Sequence, residues 1–210
     1  MPKQNRVTPF GEIVAVPAYG TLMGNRGVLH DAAGTIRRAW HLRRWIVCVL
    51  EFNGRKRTVM APGRYTELFF LDEATALAAG HRPCFECQRQ RFRAYRAAWT
   101  AGHALPHAPT AGGIDDTLHA ERTGMNREKL CHSANLDSVP DGALVTLEGD
   151  DAIPYLLWRG ELLAWSPAGY RERRTRPTGA RVSVLTPAPT VTAIRAGYVP
   201  AVHPSARSAS

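Results

Sequence analysis

The chain has 210 residues and a formal net charge of +9, from 27 basic and 18 acidic side chains. Apolar residues make up 44% of it, enough to build a core, which excludes a globally disordered chain. No apolar run reaches about 18 residues, and the polar Met1–Arg6 leads into Val7-Thr8-Pro9 without an apolar secretion segment, so the expectation is a cytoplasmic protein with no membrane span.

A basic surface attracts polyanions, and nucleic acid is the commonest inside cells. Only Lys3, Lys56 and Lys129 are lysines, an arginine excess that a GC-rich genome would also produce. The four cysteines, Cys48, Cys84, Cys87 and Cys131, are expected to be reduced in a cytosolic chain, pointing to metal binding or core packing rather than disulfides.

In chain order, Gly11 to Val16 reads as a short strand. The glycines of Met23-Gly-Asn-Arg-Gly27 read as turn formers, since no Lys-Ser/Thr follows to make a phosphate loop, with Arg26 a candidate ligand contact. Trp45 to Phe52 is a β-type run, Asn53-Gly54 suits a type I′ turn, and Arg55 to Met60 returns, which predicts a hairpin. Cys48 falls in register with Ile46, Leu50 and Phe52 and reads as a buried core thiol. Asp72 can cap a helix over 73–79, with Gly80 past its end. Gln88 to Trp99 has a helical period that sets Phe92, Tyr95 and Trp99 on one face and Arg89, Arg93 and Arg96 on the other.

Residues 101–113 read as a connector and 116–122 as a second helix. Strands follow at 143–147, 153–158 and 162–165, then a basic loop over 171–176, a strand at 181–185 and a short helix over 190–196. The Pro-bounded turns Trp165 to Tyr170 and Gly197 to Pro204 have the character of segments that line a pocket or anchor the chain. The expected fold is α+β: an N-terminal β-hairpin region, central short helices around a Cys-x-x-Cys turn, and a C-terminal antiparallel β meander. The expected organisation is 1–100, a connector at 101–113, an α+β region at 114–203 and a frayed tail at 204–210, or one compact domain overall.

The segment from Phe69 to Gln88 carries an alanine-rich helix into Gly80-His-Arg-Pro-Cys-Phe-Glu-Cys87. In its Gly80, Arg82, Pro83, Cys84 and Cys87 spacing it resembles the second half of the Ada-type metal-binding domain. That resemblance implies zinc held by thiolates and association with DNA. In the family an upstream cysteine pair completes the site, and one of the pair accepts methyl groups. No cysteine lies between Cys48 and Cys84, so the methyl-acceptor role has no residue here. Two thiolates two residues apart can share one tetrahedral ion, and Arg82 or Arg89 would favour their ionised form. Cys131 and His132 are the leading candidates for further ligands, with His81, His107 and His119 behind them.

The leading expectation is therefore a nucleic-acid-associated protein, with DNA as the partner, zinc at Cys84 and Cys87, and phosphates met by Arg55, Lys56, Arg57, Arg89, Arg93 and Arg96. The rival is a metal-assisted hydrolase using His119, Glu121, His132 and His203. His119 and Glu121 lie about 200° apart on an ideal helix, which does not favour joint work. A third reading is a structural adaptor whose basic face is incidental.

Overall fold

A computed structural model describes residues 1–56 and 58–207, a mixed α+β fold with two six-stranded sheets and, among the described residues, four α-helices. The first sheet is built from short strands: β1 (Arg6–Val7), β2 (Ile13–Val14), β3 (Leu22–Asn25), β4 (Ile46–Cys48), β5 (Leu68–Phe70) and β6 (Arg82–Pro83). Its spatial order is β2-β1-β5-β3-β4-β6, with β1/β5 and β4/β6 parallel and the other pairs antiparallel. At its centre Gly24 faces Val47. A Cβ there would lie 2.2 Å from the Ile46 carbonyl oxygen, so close backbone approach, not turn geometry, requires glycine.

The helices α1 (Glu73–Ala78), α2 (Arg89–Gly102) and α3 (Ala111–Arg122) precede the second sheet. That sheet holds β7 (His132–Asn135), β8 (Leu144–Leu147), β9 (Asp150–Trp158), β10 (Glu161–Ser166), β11 (Gly169–Thr175) and β12 (Arg181–Val184), followed by α4 (Ala188–Arg195). Its order is β11-β10-β9-β8-β12-β7 and every pairing is antiparallel. Strands β8 to β10 run as the expected meander, and β11 extends it by one strand. Arg159 and Gly160, both at positive φ, make the tight joint between β9 and β10.

Helix α1 is the pillar between the sheets. All six of its residues are buried, and its small side chains let neighbours pack close on every side. Ala74 and Ala78 meet Leu144, Leu156, Leu163 and Tyr170 of the second sheet. Ala76, with Ala79 just past the helix end, meets Val47, Leu68 and Phe70 of the first. Leu77 joins Phe92, Tyr95 and Trp99 of α2 with Ile114 and Leu118 of α3. The aromatic stripe of α2 is core, as its helical period predicts.

Two buried carboxylates lock this pillar to the end of the chain. Asp72 caps α1, accepting from the Thr75 amide at 2.8 Å, and also accepts from the Tyr170 hydroxyl at 2.8 Å and the His203 amide at 2.9 Å. Glu73 accepts from the Ala201 amide at 2.8 Å and from the Tyr198 hydroxyl, and it ion-pairs with Arg91. The turn at 197–204 is thus an anchor.

Several expectations are corrected. Asn53 and Gly54 have the positive φ of the predicted turn, but residues 55, 56 and 58–60 carry no strand, so the hairpin does not form. Both edges of β4 are already occupied, by β3 and β6. The basic stretch 171–176, read as a loop, lies largely in β11; its charges sit on an edge strand, where they discourage pairing with other chains. The stretch read as a connector over 101–113 spans only 103–110, because α2 runs to Gly102 and the Thr110 side chain caps α3. Pro204–Ala206 forms a 3₁₀ turn, and Ala206 is buried.

Candidate metal centre and the basic residues beside it

Side chains alternate along β4. Trp45 and Val47 point into the interior shared with α1, while Ile46 and Cys48 point to the opposite face, where Cys48 packs with Met23 and Cys84. The parallel pairing of β4 with β6 sets Val47 opposite Pro83. Cys84 therefore leaves β6 beside Cys48, and a turn over 85–88 brings Cys87 back to the same place.

The three sulfurs lie within 4.8 Å of one another, and this trio could hold a metal ion. Thiolates sharing one tetrahedral zinc at about 2.3 Å each would stand about 3.8 Å apart, so a small contraction suffices. Cys48 and Cys84 are buried and Cys87 is half-buried, next to a shallow groove lined by Val49, Phe52, Glu86, Gln88 and Arg89. Among the described residues this is the sole group of three or more His, Cys, Asp or Glu ligand atoms.

The surroundings favour charge on two of these sulfurs, those of Cys84 and Cys87. Hydrogen bonding from the Cys48 thiol lowers the pKa of Cys84 first of all; burial opposes that, and the amides of Cys87 and Glu86 add to it. Cys87 is lowered for the same leading reason, helped by the Val49 amide. Cys48, the donor, is pushed up. Amides directed at sulfur are the outer contacts that orient thiolate ligands around a metal. The Gln88 side-chain amide donates to the Val47 carbonyl at 2.9 Å, tying the loop down to β4.

Around this trio the basic residues divide. Arg89 and Arg93 are exposed on the first turns of α2. Arg96 is half-buried, its guanidinium 5.9 Å from the Phe92 ring centroid. Arg55 pairs with Glu86 at 2.6 Å, joining the Asn-Gly turn to the cysteine loop, and Lys56 is exposed beside it. Arg57 lies outside the described residues. Arg82, expected to act on the thiolates, is instead buried in a two-pronged pair with Asp115 at 3.0 Å and 2.7 Å.

The remaining candidates lie apart from the sulfurs. Cys131 is exposed and His132 opens β7. Burial lowers the pKa of His132, against a smaller upward pull from Glu121, which is exposed. His119 packs edge-on against Trp40 at 4.6 Å, and burial lowers its pKa. His203 bonds Ser205 through Nδ1 at 2.8 Å. His81 is fully buried against Phe70, and His107 is exposed.

Sequence reasoning missed Cys48, read as a plain core thiol. Its burial was legible, but its neighbours were not, because they depend on a parallel pairing between distant segments. Comparison with family models, curated proteins and solved structures returned no match to this chain. No helix among the described residues is long and apolar enough to cross a membrane.

Proposed function

We propose that the chain is a nucleic-acid-associated protein built on a structural zinc–thiolate centre at Cys48, Cys84 and Cys87, with DNA the preferred partner. The observation that carries this reading is the convergence of three sulfurs immediately before a helix whose first turns expose arginine. Three thiolates and one Zn²⁺ leave a net charge of −1, within electrostatic reach of Arg55, which also pairs with Glu86. A metal there would fix the start of α2, and with it the positions of Arg89 and Arg93. These two, with Lys56, are the side chains best placed to meet phosphates, giving salt-dependent binding with little reading of sequence. The fourth position at the metal would belong to water or to a group entering from the groove beside Cys87.

The hydrolase reading with His119, Glu121, His132 and His203 has weaker support. None of the four joins a metal-binding group among the described residues. The test is binding of a labelled DNA duplex followed by fluorescence anisotropy across a salt series. Wild type is expected to bind with affinity that falls steeply as salt rises, and Arg89→Glu/Arg93→Glu to lose binding while keeping its fold. A wild-type protein that does not bind at low salt, or a double variant that binds equally well, would contradict the proposal.

A further inference from the structure

On the other face of β4 from the cysteines, Trp45 forms part of the wall of a cavity of about 190 Å³, with Trp40, Phe10, Thr123 and four cationic residues, Arg26, Arg122, Arg127 and Lys129. The exposed Glu12 and Arg127 stand at its rim. Arg26 and Arg122 are each only 1% exposed. Their guanidinium carbons lie 4.2 Å and 4.1 Å from the Trp45 ring centroid.

A buried guanidinium ordinarily has a carboxylate partner, because an uncompensated buried charge is strongly unfavourable. Arg82, equally buried, meets that expectation with Asp115. Arg26 and Arg122 do not. Among the described residues neither of them, nor Lys129, takes part in an ion pair. Arg26 donates to the carbonyls of Gly11 at 2.9 Å and Ala39 at 3.3 Å and to Nε2 of His81 at 3.3 Å, leaving Nη2 without an acceptor. Arg122 donates to the Gly80 carbonyl at 2.7 Å and to the Arg43 carbonyl, leaving Nε without one. Lys129 donates to the carbonyls of Ala78 and Leu185, and its ammonium has a third N–H to give.

We infer that this cavity is a binding site for the phosphate of a small phosphomonoester, held by Arg26, Arg122 and Lys129 with its organic part against Phe10 and Trp40. Three interior cations balance a dianion better than a monoanion, which favours phosphate over carboxylate. Guanidinium forks suit phosphate oxygens geometrically, and the apolar wall at Phe10 and Trp40 suits a small apolar substituent. The volume falls below the roughly 300–1,000 Å³ of sites for drug-sized ligands, so the ligand buries a phosphate and a small adjoining group, not a whole cofactor. Such a group arrives either on a free metabolite or at the 5′ end of a nucleic-acid strand. The site shares no residue with the metal centre or with the exposed arginines of α2, so it stands or falls separately from the proposed function.

Calorimetry and tryptophan fluorescence on the full-length protein test it, with inorganic phosphate, acetate, and a short single strand carrying either a 5′-phosphate or a 5′-hydroxyl. Phosphate is expected to bind at one site, to perturb the fluorescence, and to bind at least tenfold more tightly than acetate. A 5′-phosphate strand that outcompetes inorganic phosphate by tenfold, while the 5′-hydroxyl strand does not, assigns the phosphate to a nucleic-acid end. Equal or weaker competition assigns it to a free phosphomonoester. Arg122→Met should weaken phosphate at least tenfold. Because that change removes buried hydrogen bonds, Thr123→Trp provides a second variant, filling the half-exposed mouth without touching a charge, with the same loss expected. Absence of phosphate binding by folded wild type, equal affinity for acetate, or unaltered binding by a folded Thr123→Trp protein would overturn the inference.

Discussion

The amide of Cys84 donates to the carbonyl of Val47 at 2.8 Å, and this bond between parallel strands β4 and β6 seats Cys84 beside Cys48. The same carbonyl accepts from the Gln88 side chain, so a single acceptor holds both ends of the loop that carries Cys84 and Cys87. The sulfur trio is thus a product of sheet pairing, not of the Cys-x-x-Cys spacing alone.

Gln88 is therefore expected to govern metal retention without touching the metal. Gln88→Leu removes the donor while keeping a side chain of similar size. Outer contacts of this kind typically change metal affinity by about 10–100-fold. Competition with a chromophoric chelator should show zinc leaving the variant at about tenfold lower chelator concentration. Equal retention would mean that the loop is held by its backbone alone.

Asp72 is expected to be among the costliest single positions for stability. One of its oxygens accepts from the Thr75 amide and hydroxyl, the other from Tyr170 and the His203 amide. Asp72→Asn turns one of those oxygens into a donor facing donors. Each buried group left unsatisfied costs roughly 1–3 kcal/mol, so a loss of about 2–4 kcal/mol is expected in urea unfolding. A change below about 0.5 kcal/mol, the range of ordinary surface substitutions, would contradict the anchoring role given to this carboxylate.

Part of this architecture was legible in the residues. The cap at Asp72, the aromatic face of α2 and the strands of the meander follow from local patterns that tertiary packing reinforces. The predicted hairpin failed where local and global preferences compete. Asn53-Gly54 makes its turn, but β4 finds better partners in β3 and β6 than in the residues that follow the turn. The arginines of β11 concealed a strand because an edge tolerates charge on both faces. Arg26, first read as a loop residue, is buried beside Trp45, and its partners come from segments that no local pattern links.

His81 should make the protein sensitive to acid. Its ring is fully buried, and Nε2 accepts from Arg26. Burial, reinforced by the charges of Arg26 and Arg122, holds its pKa well below the usual histidine value. In the unfolded chain the ring titrates near about 6.5, so below that pH the unfolded state binds a proton that the folded state refuses. Stability should then fall as pH drops, by up to about 1.4 kcal/mol per pH unit from this group, while above about pH 6.5 its contribution is flat. Urea unfolding from about pH 7.5 down to about pH 5 should show a shallower slope for His81→Phe than for wild type. Equal slopes would assign the acid sensitivity to other groups.

The central claim, that Cys48 completes a metal centre with Cys84 and Cys87, is tested most directly by elemental analysis of freshly purified protein. Wild type, Cys48→Ser and Cys131→Ser would be measured side by side. The account predicts about one zinc per chain in wild type and in Cys131→Ser, and its loss in Cys48→Ser. Metal-free wild type, or a Cys48→Ser protein that keeps its zinc, would contradict it.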